Sequence, residues 1–141
     1  LLDTDILSAD APAKRRVGLE AFSSWLRAHA DRLHLSAITV AEIEAGIVRA
    51  ARVGAAAKAD RLRLWLTAVE QLYGERILPF GIAEAHAAGA MIDAARATDP
   101  GFEDIAIAAT AAVRGFTVLT ANERHFAPLG VPFANPLKRL P

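Results

Sequence analysis

Cysteine is absent from this 141-residue chain, so neither a disulfide nor a thiolate metal site can be built. Any bound metal must be held by oxygen or imidazole, and the composition is compatible with a reducing cytoplasm. Charge of one sign is missing as well. Sixteen basic and sixteen acidic residues give a formal net charge of zero, which removes any global attraction for nucleic acid and requires a local patch if RNA binds. Long hydrophobic runs are also lacking. Although 53% of residues are apolar and the mean hydropathy is +0.25, charged residues interrupt every apolar stretch before the ~20 residues that cross a bilayer. No transmembrane helix is expected. The opening LLDTD lacks the basic, apolar and small-residue sequence of a secretory signal, so none is expected. His29, His34, His86 and His125 show no spacing such as HxxxH, no serine nucleophile motif occurs, and the glycines form no phosphate loop. Zinc hydrolysis, triad chemistry and nucleotide hydrolysis are therefore disfavoured.

What is present is an alternation of short apolar runs with longer helical stretches. The runs are LLD at 1–3, LHLS at 33–36, RILPF at 76–80, FTVLT at 116–120 and VPFAN at 131–135. Such alternation predicts an α/β fold in a single domain over 1–141, with a central parallel sheet of about five strands flanked by helices. Leu19, Phe22, Trp25 and Leu26 recur at helical spacing and predict one amphipathic helix. From Val40 to Tyr73 the pattern is helical, with a turn expected at Gly54. A helix from about Ile82 to Ala97 should end at the Thr98–Gly101 breaker, and one from Phe102 to about Arg114 is apolar on nearly every side, hence buried. No internal repeat, linker or coiled-coil heptad is found.

Four segments place an acid or amide just after an apolar run or at a helix start: Asp3 in LLDTD, Glu42 in LSAITVAE, Asp104 in GFEDIAIAA, and Asn122 with Glu123 in TVLTANE. Ligands of parallel α/β sheets sit at the carboxyl ends of strands, and these residues fall at such ends or in first helical turns. Brought together, they would form an oxygen-rich pocket suited to Mg²⁺ or Mn²⁺. Each residue also has a plainer reading. Asp3 is a favoured helix N-cap. Asp5 is a first-turn acid favoured by the helix dipole. Thr39 to Glu42 reads as a capping box, and Asn122 caps the short NERHF turn. Asp104 is the sharpest case, because the helix it opens is largely apolar and a carboxylate beside buried surface costs several kcal/mol unless paired.

Taken in order, LLDTDILS, SAITVAEIEAG, EDIAIAATA and TVLTANERHF resemble the PIN-domain ribonucleases, and among these the VapC-type toxins of bacterial toxin–antitoxin pairs, including their FitB-like branch. The resemblance covers nearly the whole chain and extends to RILPF at 76–80 and FANP at 133–136. It implies that Asp3, Glu42 and Asp104 are the family's first three acids, with Thr120 and Asn122 where many relatives supply a fourth acid and some an asparagine. It further implies a metal-dependent endoribonuclease in which Mg²⁺ or Mn²⁺ is held chiefly by Asp3 and Asp104, with Glu42 and Asn122 completing the site. A cognate antitoxin, an RNA substrate and a homodimer are the implied partners, in the cytoplasm and without membrane attachment.

Candidate phosphate-binding charges are Lys14, Arg15 and Arg16, and the Arg49, Arg52, Lys58, Arg61 and Arg63 set of the helical hairpin. Two alternatives stand beside this reading. LLDTDIL fits the DxD opening of haloacid-dehalogenase-like phosphatases, but Lys138 is the only late lysine and no late acidic pair follows. A non-catalytic PIN-like binding module is the other, to which Asn122 lends weight and the three retained acids do not.

Overall fold

The computed structural model describes residues 1–9, 11 and 20–141. Leu19 and the basic triplet Lys14, Arg15 and Arg16 lie outside these residues. Seven α-helices alternate with four strands among the described residues: α1 (Thr4–Ala9), α2 (Glu20–Ala28), β1 (Leu35–Ser36), α3 (Ala37–Arg52), α4 (Ala56–Tyr73), β2 (Ile77–Leu78), α5 (Ile82–Ala94), α6 (Phe102–Arg114), β3 (Val118–Leu119), α7 (Glu123–Phe126) and β4 (Phe133–Ala134). The α/β class, the hairpin turn at Gly54 (φ +81°) and the helices in the 80s and 100s agree with the sequence reading.

The sheet is more economical than expected. β1 pairs with β2 and β3 with β4, both parallel, and Leu2 makes single parallel bridges to Leu35 and Leu119. The five apolar runs thus give four two-residue strands and one bridging residue. Proline supplies a reason at the two outer strands, since it cannot donate to a ladder. Pro79 follows β2, and Pro132 immediately precedes β4.

Side chains on a strand alternate between faces, and here the alternation divides two cores. Leu2, Leu35, Ile77, Leu119 and Ala134 pack on one side with Ile6, Phe22, Ile47 and Leu66. Leu1, Leu78, Val118 and Phe133 pack on the other with Ile105, Ile107 and Phe126. α6 is buried from Ile105 through Ala111, as its apolar sequence requires. No helix among the described residues is long and apolar enough to cross a membrane.

The expected capping box at Thr39 is not formed. α3 starts three residues earlier, where the Ser36 hydroxyl accepts the Ile38 N–H at 3.2 Å. Ser at the cap satisfies a free helical donor, so Thr39 lies inside the helix, buried, with no partner for its Oγ1 among the described residues. A buried hydroxyl without a partner is destabilising. Thr39→Val is therefore expected to raise stability by about 1 kcal/mol in urea unfolding; a loss of that size would show that the hydroxyl is bonded.

Candidate active site

The chain runs from Leu2 outward to β1 and β2, then crosses back to β3 on the other side of Leu2. The reversal makes Leu2 a topological switch point, where parallel sheets open a crevice at the strand carboxyl ends. Asp3 follows Leu2 and Thr120 follows β3, so both sit in that crevice.

Asp3 is 4% exposed. Its Oδ1 accepts the Thr4 N–H at 2.7 Å and its Oδ2 accepts the Thr120 hydroxyl at 2.7 Å. Its backbone carbonyl meanwhile accepts the Leu7 N–H at 3.1 Å, so Asp3 also caps α1. Asp5 Oδ2 accepts the Ala121 N–H at 3.0 Å, and its Oδ1 is buried with no partner among the described residues. Glu42, released from helix capping, reaches across from α3 to accept the Thr4 hydroxyl. Asp104, in the first turn of α6, lies 2.6 Å through Oδ2 from His125 Nδ1, and the Asn122 amide is 2.7 Å from the same nitrogen.

Asp3, Asp5, Glu42, Asp104 and Asn122 line one cleft of about 250 Å³, together with Thr4 and Ser8. All four residues proposed from the sequence therefore face a common space. Burial, then the neighbouring Asp5 charge, push the Asp3 carboxyl up to about 7 against the pull of its hydrogen bonds. Burial also raises Asp5 and Glu42, with Asp104 adding repulsion at both. Crowded carboxylates that resist ionisation call for a cation.

The donor set fits a hard divalent ion: carboxylates, an amide and hydroxyls, with one carboxylate oxygen buried and unpartnered. Among the described residues no three His, Asp or Glu side chains are gathered closely enough to hold an ion as they stand. Thr4, Thr120 and His125 engage three of the carboxylates instead.

Sequence reasoning undervalued Asp5 and set His125 aside. The signal for His125 was its i+3 spacing from Asn122 on a turn, which brings two side chains to one face. Glu123, next to Asn122 in the same segment, does not line the cleft. Its Oε1 lies 2.7 Å from Lys138 Nζ and accepts the Asn135 amide at 2.8 Å.

Comparison with known proteins adds the evolutionary frame. The PIN domain family profile matches residues 1–130. The plasmid stability protein StbB of Pseudomonas syringae pv. tomato is 34% identical over 140 residues, covering 96% of both chains. FitAcB from Neisseria gonorrhoeae superposes with a TM-score of 0.80 at 30% identity, covering 96% of both chains. VapBC2 from Rickettsia felis, solved bound to a DNA fragment from its promoter, shares the fold with a TM-score of 0.77 at 18% identity, over 95% of this chain and 96% of that one.

Proposed function

Because this chain belongs to the PIN domain family, we propose that it is a metal-dependent endoribonuclease, the toxin of a toxin–antitoxin pair, cleaving RNA phosphodiester bonds by hydrolysis at its carboxylate cleft. The observation that carries the reading is the convergence of Asp3, Asp5, Glu42, Asp104 and Asn122 from separate segments on one cleft. A fold with no use for the cleft gains nothing from gathering like charges there. The likeness to StbB and FitAcB supports the toxin assignment, with a cognate antitoxin, a second copy of the chain and a cytoplasmic location as its corollaries. Family membership sets aside the phosphatase alternative.

Asp3, Asp104, Glu42 and Asn122 would hold Mg²⁺ or Mn²⁺. When bound, such an ion polarises a phosphoryl oxygen and lowers the pKa of its water. The protein's own part is orientation. Thr120 and the Thr4 N–H fix the Asp3 carboxylate, the Thr4 hydroxyl holds Glu42, and His125 aligns Asp104. His125 Nδ1 lies between the Asp104 carboxylate and the Asn122 amide, a contact of the kind that braces a metal ligand from behind. His125→Ala should accordingly weaken Mn²⁺ binding about 10- to 100-fold by isothermal calorimetry; unchanged affinity would remove His125 from the site.

The direct test incubates purified, antitoxin-free protein with total bacterial RNA and Mg²⁺ or Mn²⁺, beside an EDTA control, and maps new ends by sequencing. Discrete ends that vanish with EDTA are expected. Intact RNA from folded, Mn²⁺-binding protein would instead assign a non-catalytic binding module.

A further inference from the structure

Resting on the nuclease reading, we infer that the groove between α3 and α4 is the subsite for single-stranded RNA flanking the scissile phosphate, with Trp65 as its base platform and Arg49 and Lys58 as its phosphate anchors. The groove encloses about 430 Å³ and shares Thr4, Ser8 and Glu42 with the carboxylate cleft. The two spaces are therefore contiguous, and a strand leaving the carboxylates enters the groove.

Helical periodicity builds its walls. Glu42, Gly46 and Arg49 recur at i, i+4 and i+7 on α3, and Lys58, Leu62 and Trp65 repeat that spacing on α4. Residues so spaced share one face. Because the helices form a hairpin about Gly54, Arg49 and Lys58 sit near the turn, while Trp65 is level with Glu42. At 1.5 Å per residue, the stripe from Glu42 to Arg49 spans about 10 Å, room for ~3 stacked nucleotides at 3.4 Å each. The half-buried Trp65 supplies a surface on which any base can stack.

The charges are complementary to phosphate. Arg49 and Lys58 are exposed and have no ion-pair partner among the described residues, whereas Arg63 on the same hairpin is paired with Asp60. Gly46 is a further sign. Glycine inside a helix is destabilising relative to alanine, yet a Cβ at this position would meet nothing within 4 Å. Internal packing does not require the glycine; it keeps the floor of the groove open.

The same lack of neighbours makes Gly46→Phe a clean obstruction, since a side chain there fills the groove while improving helix propensity. The experiment measures binding of a mixed-sequence single-stranded RNA in EDTA, in a Trp25→Phe background where Trp65 is the sole tryptophan reporter. Quenching of Trp65 is expected, with at least tenfold weaker binding in Gly46→Phe. Arg49→Ala with Lys58→Ala should make the log–log salt dependence shallower by about 1.4, at about 0.7 per phosphate contact. Quenching without cleavage on adding Mn²⁺ would leave the groove assigned and remove the nuclease reading. Cleavage with an unchanged KM and unquenched Trp65 in all variants would leave the nuclease and overturn the groove. Loss of a co-expressed antitoxin from Gly46→Phe with RNA binding intact would give the groove to a protein segment and overturn the inference.

Discussion

Replacing Asp104 with asparagine is expected to slow RNA cleavage about 10³-fold while leaving the fold intact. The substitution keeps the side chain's shape and an oxygen that can accept from His125, but removes one of the negative charges that would hold the cation. A loss of ~4 kcal/mol in transition-state stabilisation corresponds to that rate factor at about 1.4 kcal/mol per tenfold, and metal polarisation of a phosphoryl oxygen is worth several kcal/mol. Cleavage is measured on the RNA identified by end mapping. A melting titration with Mn²⁺ runs beside it, in which wild type should gain stability and Asp104→Asn distinctly less. Equal gains, or cleavage within tenfold of wild type, would take Asp104 out of the catalytic set.

The second large effect is a metal-free protein that is less stable at pH 8 than at pH 5. Asp3 holds its proton up to about pH 7 in the fold, against a usual value of 3.8. Between those values the folded chain carries a proton that the unfolded chain has released, so stability falls as pH rises through this window and levels above it. That interval is equivalent to ~4 kcal/mol at about 1.4 kcal/mol per pH unit. Asp5 and Glu42, both raised by burial, act in the same direction. Glu84, held low by Arg114, and Glu123, held low by Lys138, act oppositely and at lower pH, since their stabilisation is lost as pH falls through their depressed values. The Leu1 amino group, lowered to about 6 by burial, and His34, also lowered by burial, oppose Asp3 too, because the folded chain releases their protons before the unfolded chain does and stability rises with pH there. The Asp3 contribution is isolated by comparing wild type with Asp3→Asn, which leaves the opposing groups in place. Mn²⁺ should restore stability at pH 8, where it competes with no proton. Asp3→Asn should flatten the decline and melt above wild type at pH 8 in EDTA. A wild-type melting temperature that rises steadily from pH 5 to 8 in EDTA would refute this account.

Much of this organisation was legible in the chain because hydrophobic periodicity is a local signal. The hairpin around Gly54 and the buried α6 follow directly from it. The capping box failed for a local reason too: two hydroxyl residues, Ser36 and Thr39, compete for the same cap, and the Ser36 side chain is the one that bonds the free N–H. Strand length was overestimated because apolar runs do not reveal where pairing stops, whereas prolines beside β2 and β4 do. The candidate residues stand out as separate signals, yet their meeting in one cleft depends on contacts far apart in sequence. The roles of Thr4 and His125 are set only by such contacts, to Glu42 and Asp104. Glu123 illustrates the converse, an acid next to the site in sequence whose partners lie in the C-terminal segment.

The bond between Asp3 and Thr120, 117 residues apart, has a consequence for the birth of the protein. Translation delivers Asp3 117 residues before Thr120, and Leu2 cannot be bridged on its second side until Leu119 arrives. A chain still short of that point lacks the strand that completes the crevice around its first acid. Ribosome-bound and prematurely terminated products that stop short of this segment would therefore carry the first acid without the crevice that holds it, and the cleft would exist only in chains that have passed it.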